Sequence, residues 1–155
     1  MKKIIMLFAL MCLYTINATS QEIYKEVNRI MHNAETIKND TKRNLEERKI
    51  ATFKADAIFY LLSKAAENNH FTEYDLGKQT NAMIEFVNSY IKRLSKAPKK
   101  ADKQLIIARY KNATIQNPLF KDTEKEIVYA YVDNPKYITQ FSIDTDWTKA
   151  LEAVK

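Results

Sequence analysis

A chain of 155 residues with one glycine, Gly77, has few ways to fold. Tight hairpin turns draw on glycine for positive φ, so a sheet built from many hairpins is excluded. An all-α fold is expected. Its joints must be marked by Asn, Asp, Ser, Thr and Pro, and such clusters do punctuate the sequence.

Between them, apolar residues recur at helical spacing. Ile23, Val27, Ile30, Ala34 and Ile37 form one stripe, opposite Lys25, Glu26, Arg29, Asn33 and Lys38. Asn39-Asp40-Thr41 ends that helix. Asn44 is placed to cap the next, with Glu47 reaching back to it. Ile50, Phe53, Ala57, Leu61 and Ala65 then form an apolar face, widened by Ala51, Ile58, Leu62 and Ala66. A stripe this broad predicts the most buried helix.

Thr72 with Asp75 gives a second cap signature. Leu76, Thr80, Met83, Val87, Tyr90 and Leu94 follow as a third helix, flanked by Phe86 and Ile91. Gly77 lies in its first turns, where glycine costs about 1 kcal/mol relative to alanine; nothing in the sequence requires it there, and close packing of a neighbour is one account. Pro98 separates this helix from a fourth, carrying Leu105, Ile106, Ile107, Ala108 and Ile115 and ending at Asn117-Pro118.

A short helix capped by Asp122 or Thr123 and carrying Ile127, Val128 and Tyr131 is expected next, broken at Asn134-Pro135. Tyr137 to Ile143 alternates as an extended segment would. Asp144 or Thr145 then caps a last helix with Trp147, Leu151 and Val154 on one side. The expected fold is a bundle of about four main amphipathic helices plus one or two short C-terminal helices.

The start of the chain has a different character. Lys2 and Lys3 precede an apolar run from Ile4 to Ile16, and Ala18 and Ser20 are small at the positions a signal peptidase requires for a cut before Gln21. A positive start, a short apolar stretch and small residues before the cut describe a secretory signal, and a spanning helix would need about 20 apolar residues. Residues 1–20 are read as a cleaved signal and 21–155 as one helical domain. No transmembrane anchor is expected after cleavage. Met11 is too large to precede a lipidated cysteine, so Cys12 is read as part of the apolar run. Its removal would leave no cysteine and no disulfide in the exported chain. Loss of Lys2 and Lys3 lowers the formal net charge of +6 by two, leaving a mildly basic protein.

Three stretches carry a resemblance. They are Asn44-Leu45-Glu46 running into Lys49-Ile50-Ala51-Thr52-Phe53-Lys54, Asn117-Pro118-Leu119-Phe120, and Phe141-Ser142-Ile143-Asp144-Thr145-Asp146-Trp147. Together they resemble a group of small exported proteins of Bacteroidota. The resemblance covers most of residues 21–155. It implies a periplasmic or secreted location in a Gram-negative envelope, and carries no activity, cofactor or catalytic residue.

Few residues offer chemistry. His32 and Glu35 share a helix face, but a zinc site needs three or four ligands, so no metal is expected. His70 sits at a helix end. A phosphate cradle is excluded by the lone glycine. Asp144 and Asp146 stand beside Trp147, an arrangement that would suit a sugar if both acids opened into one cleft; helix capping already accounts for both. Lys92, Arg93, Lys96, Lys99, Lys100 and Lys103 make a basic joint between helices. Tyr129, Tyr131, Tyr137 and Trp147 crowd the C-terminal third, either as an interaction surface or as rings stapling the tail to the bundle.

The reading is a non-catalytic exported binding module of the cell envelope, with no cofactor. A protein or glycan partner, and no nucleic acid, would engage Tyr129, Tyr131, Tyr137, Asp144, Asp146 and Trp147. Two alternatives are a hydrolase or carbohydrate-active protein using Asp144 and Asp146, and attachment to anionic surfaces through Lys92–Lys103.

Overall fold

The computed structural model describes residues 2–123 and 141–155, with side chains from Ser20 onward, and every regular element among them is a helix. The elements are α1 (Lys2–Asn39), α2 (Leu45–Glu67), α3 (Glu73–Lys96), α4 (Lys100–Ile115) and α5 (Trp147–Val154). The short helix expected up to Tyr131 and the extended stretch from Tyr137 as far as residue 140 lie outside the described residues; Phe141, Ser142 and Ile143, the end of that stretch, are buried and in no regular element. Asp122 and Thr123 lie in irregular backbone.

Local chemistry sets the boundaries. The Glu47 backbone N–H donates to Asn44 Oδ1 at 2.8 Å, as the cap signature requires. The Glu47 carboxylate does not reach back; it lies 3.5 Å from Arg43 Nη1. Thr72 and Asp75 form the full reciprocal box, with Asp75 N donating to Thr72 Oγ1 at 3.2 Å and Thr72 N donating to Asp75 Oδ2 at 3.0 Å. At the last helix the cap is Asp146, not Asp144 or Thr145.

Helix α3 occupies the centre, packing on α1, α2, α4 and α5. The broad stripe on α2 predicts that place for α2; α3 takes it because Gln79, Ala82 and Phe86 are buried beside the expected Leu76, Thr80, Met83, Val87 and Tyr90. In α4 the aliphatic residues are a poor guide. Leu105 and Ile115 are exposed, and the buried positions are Tyr110, Ala113 and Thr114.

Gly77 has its reason in α1. A Cβ built on it would lie 3.0 Å from Ile23 Cγ2, so the two helices approach as closely as a hydrogen side chain allows. Gly77→Ala therefore sets a steric cost against the ~1 kcal/mol that alanine gains in a helix. In an Ile23→Ala background the clash is absent and Gly77→Ala should stabilise by roughly that amount. A double-mutant cycle by thermal or urea denaturation should give a coupling of about 1 kcal/mol; strict additivity would show that Ile23 does not constrain the glycine.

Candidate functional site

The acid pair occupies the ends of two backbone structures. After α4 the chain turns through Asn117–Asp122, with Lys121 in the left-handed region at φ 55. That turn points several amides inward, and they converge on Asp144. Leu119 N and Phe120 N donate to Asp144 Oδ1 at 3.0 and 2.8 Å, and Asp122 N donates to Oδ2 at 2.8 Å. Successive amides around a left-handed residue form an anion-binding concavity, and here the chain's own carboxylate fills it. Asp122 in turn accepts from Tyr60 Oη at 3.2 Å and pairs with Lys64 Nζ at 2.9 Å, tying the loop to α2.

Asp146 caps α5. It accepts from Gln79 Nε2 at 3.0 Å, from Thr148 Oγ1 at 2.7 Å and from Lys149 N at 3.3 Å. Gln79 completes the contact by accepting from Trp147 N at 2.7 Å, so one glutamine of α3 holds both the cap and the first residue of α5. Burial raises the Asp146 carboxyl's pKa, but the hydrogen bonds from Gln79, Thr148 and Lys149 outweigh it and hold it at about 2.

A carboxyl whose pKa is lower folded than unfolded contributes stability that is fully present above the unfolded value and lost as pH falls through the folded one. For Asp146 the window runs from the ordinary 3.8 down to about 2. Asp146→Asn is therefore expected to lose about 2 kcal/mol near neutral pH and to converge with wild type toward about pH 2. Urea denaturation at both ends of that window checks it; a constant difference would separate Asp146 from the acid dependence.

Both acids are thus engaged with backbone and side-chain donors in the interior, where Asp144 is 1% and Asp146 7% exposed. They do not present an open pair of carboxylates to a cleft. Trp147 is also interior. Its ring meets Phe53 at 5.9 Å and Phe86 at 5.5 Å, and Phe141 packs on Phe53, Phe86 and Tyr90. These residues staple the C-terminal segment onto the bundle; an exposed surface built from Asp144, Asp146 and Trp147 is not what the fold presents. Tyr129, Tyr131 and Tyr137 lie outside the described residues.

Elsewhere the surface does hold an apolar concavity. A groove of about 370 Å³ runs between α1, α2 and α3, lined by Ile30, Ala34, Ile37, Ile50, Ala51, Ile84 and Ile91, with Asn33, Arg43, Glu47 and Lys54 as its polar members. A second hollow of about 380 Å³, between α2, α3 and α4, shares Ile50 and Ile91 and adds Leu94, Ile107 and Tyr90, with Glu46, Ser95 and Lys103 as its polar members. Volumes of this order, mostly aliphatic with a few polar groups, are those of small-molecule sites. Lys54 is the notable polar member. Its ammonium donates to Asn88 Oδ1 at 2.9 Å, burial pushes its pKa below the ordinary lysine value, and no carboxylate among the described residues pairs with it.

Sequence reasoning missed this groove. Its signal was a second apolar stripe on α3, Ile84 and Ile91, two turns apart and off the main face. Of the remaining expectations, His32 Nδ1 lies 3.8 Å from Glu35 Oε2 at an exposed position, and no cluster able to hold a metal occurs among the described residues. Lys92, Lys96, Lys99, Lys100 and Lys103 are exposed at the α3–α4 joint, and Arg93 lies over the Tyr110 ring. Among the described residues no helix is long and apolar enough to cross a membrane. Compared with known protein families, curated proteins and solved structures, the chain matches none.

Proposed function

We infer that this protein is an exported binding module of a bacterial cell envelope that receives an apolar ligand in the groove between α1, α2, α3 and α4. The groove carries the reading: half-buried aliphatic side chains from all four long helices converge on a concave surface where water would otherwise sit. Contiguous apolar surface of this kind marks a binding site. Export rests on the positive start, the apolar run and the small residues before Gln21, together with the resemblance to exported proteins of Bacteroidota. The carbohydrate-active alternative loses its support, because Asp144 and Asp146 already hold the groups around them.

The test has two parts. Cell fractionation and N-terminal sequencing should place the protein outside the cytoplasm, beginning at Gln21. Protein isolated from the envelope should yield an apolar compound on organic extraction, detected by mass spectrometry, and Ile91→Glu should abolish its recovery. A wild type that carries nothing and gives no fluorescence with an apolar dye would overturn the reading.

A further inference from the structure

The chemistry at Lys54 deepens this reading and rests on it. Lys54 is half-buried, beside the aliphatic side chains of the groove, and a chain laid along that groove would take water from its ammonium, which is costly unless an anion answers it. Its one partner among the described residues is the neutral Asn88 oxygen, at 2.9 Å. The first hollow's other cation is already matched, since Arg43 lies 3.5 Å from both Asp40 and Glu47. Lys103, which lines the second hollow with Glu46, is exposed to water, so Lys54 is the half-buried cation of the groove that no carboxylate among the described residues pairs with. The space around it is elongated and aliphatic, two hollows sharing Ile50 and Ile91, which suits a chain better than a compact ring.

We propose that the groove binds a long-chain fatty acid, its carboxylate paired with the Lys54 ammonium and its alkyl chain lying along Ile50, Ile84 and Ile91. Asn88, which accepts from the ammonium at 2.9 Å, steadies it. Each methylene buried strengthens binding by up to roughly fourfold, so affinity should climb with chain length until the groove is filled.

The experiment is displacement of dansyl-undecanoic acid from the purified protein, read by fluorescence, with palmitate, hexadecanol and hexadecyl phosphate as competitors. Palmitate is expected to bind at least about tenfold more tightly than hexadecanol, because only the acid pairs with the ammonium. Lys54→Met should remove that advantage and leave hexadecanol unchanged. Lys54→Arg should restore palmitate to within about threefold of wild type, since it keeps the charge.

Equal binding of palmitate and hexadecanol by wild type, a comparison that needs no variant, would overturn the head-group assignment and leave the groove reading intact. A preference of more than about tenfold for the alkyl phosphate over palmitate would replace the carboxylate with a phosphate and overturn the fatty-acid proposal. If Ile91→Glu, folded by circular dichroism, binds all three as wild type does, the chain lies elsewhere and the groove reading falls with the proposal.

Discussion

Asp144→Ala is expected to cost about 4 kcal/mol of folding stability. Three backbone amides, those of Leu119, Phe120 and Asp122, donate to this one carboxylate, and a hydrogen bond to a charged group contributes about 1.5–3 kcal/mol. The sum is not reached, because Lys121 is exposed and water can reach part of the turn once the carboxylate is gone. The loss nevertheless extends beyond the amides. Without its anion the turn has little to hold Lys121 at positive φ, a conformation costing about 1–2 kcal/mol for a residue with a Cβ. Phe120, which packs on Tyr60 at 6.0 Å and Phe71 at 5.1 Å, would lose its mooring. Asp144→Asn should cost less, about 2–3 kcal/mol, since one oxygen survives while the amide turns a donor toward a donor. Guanidinium denaturation measures both, and hydrogen exchange at Leu119, Phe120 and Asp122 should quicken. A loss below about 1 kcal/mol for the alanine would show that the three contacts are ornaments of an independently stable turn.

Trp147→Ala should cost a similar amount, about 3–5 kcal/mol, as large-to-small changes of a fully buried aromatic do. The side chain is 0% exposed and wedged between Phe53 and Phe86. It is also the sole tryptophan, so its blue-shifted emission in the folded protein and red shift on unfolding give a direct readout. Trp147→Phe should lose only about 1 kcal/mol. It leaves a smaller void and removes an indole Nε1 that has no hydrogen-bond partner among the described residues. If Trp147 were instead a surface contact residue, its removal would change stability by no more than about 0.5 kcal/mol. Denaturant titration of the two variants separates the cases.

What could be read in the sequence follows from the range of each interaction. The Thr72–Asp75 box and the Asn44 cap are contacts within one helical turn, so residue type and spacing foretell them. The lone glycine excluded sheets by the same local logic, and its own role was legible only as an expectation of close packing until Ile23 stood opposite. Asp144 precedes a helix, and its position alone predicts a cap. Its true partners lie in a loop that its immediate neighbours do not reveal, and the cap falls to Asp146. In α4, the run Leu105-Ile106-Ile107 implied a buried face, but burial follows Tyr110, which packs on Phe86 and Tyr90. Lys54 and Asn88 sit on different helices, and nothing near either residue announces the other.

The rings at the centre also impose an order on the molecule's making. Phe53, Phe86, Tyr90 and Tyr110 belong to the long helices, whereas Phe141 and Trp147, which lie among them, follow those helices in the chain. Until those two arrive, α1 to α4 enclose an interior missing its two keystones, and the Leu119–Asp122 turn has no anion to fold around. Helices form within microseconds, but this core waits on the segment from Phe141 to Trp147, so cooperative packing cannot begin until that segment has joined the four long helices.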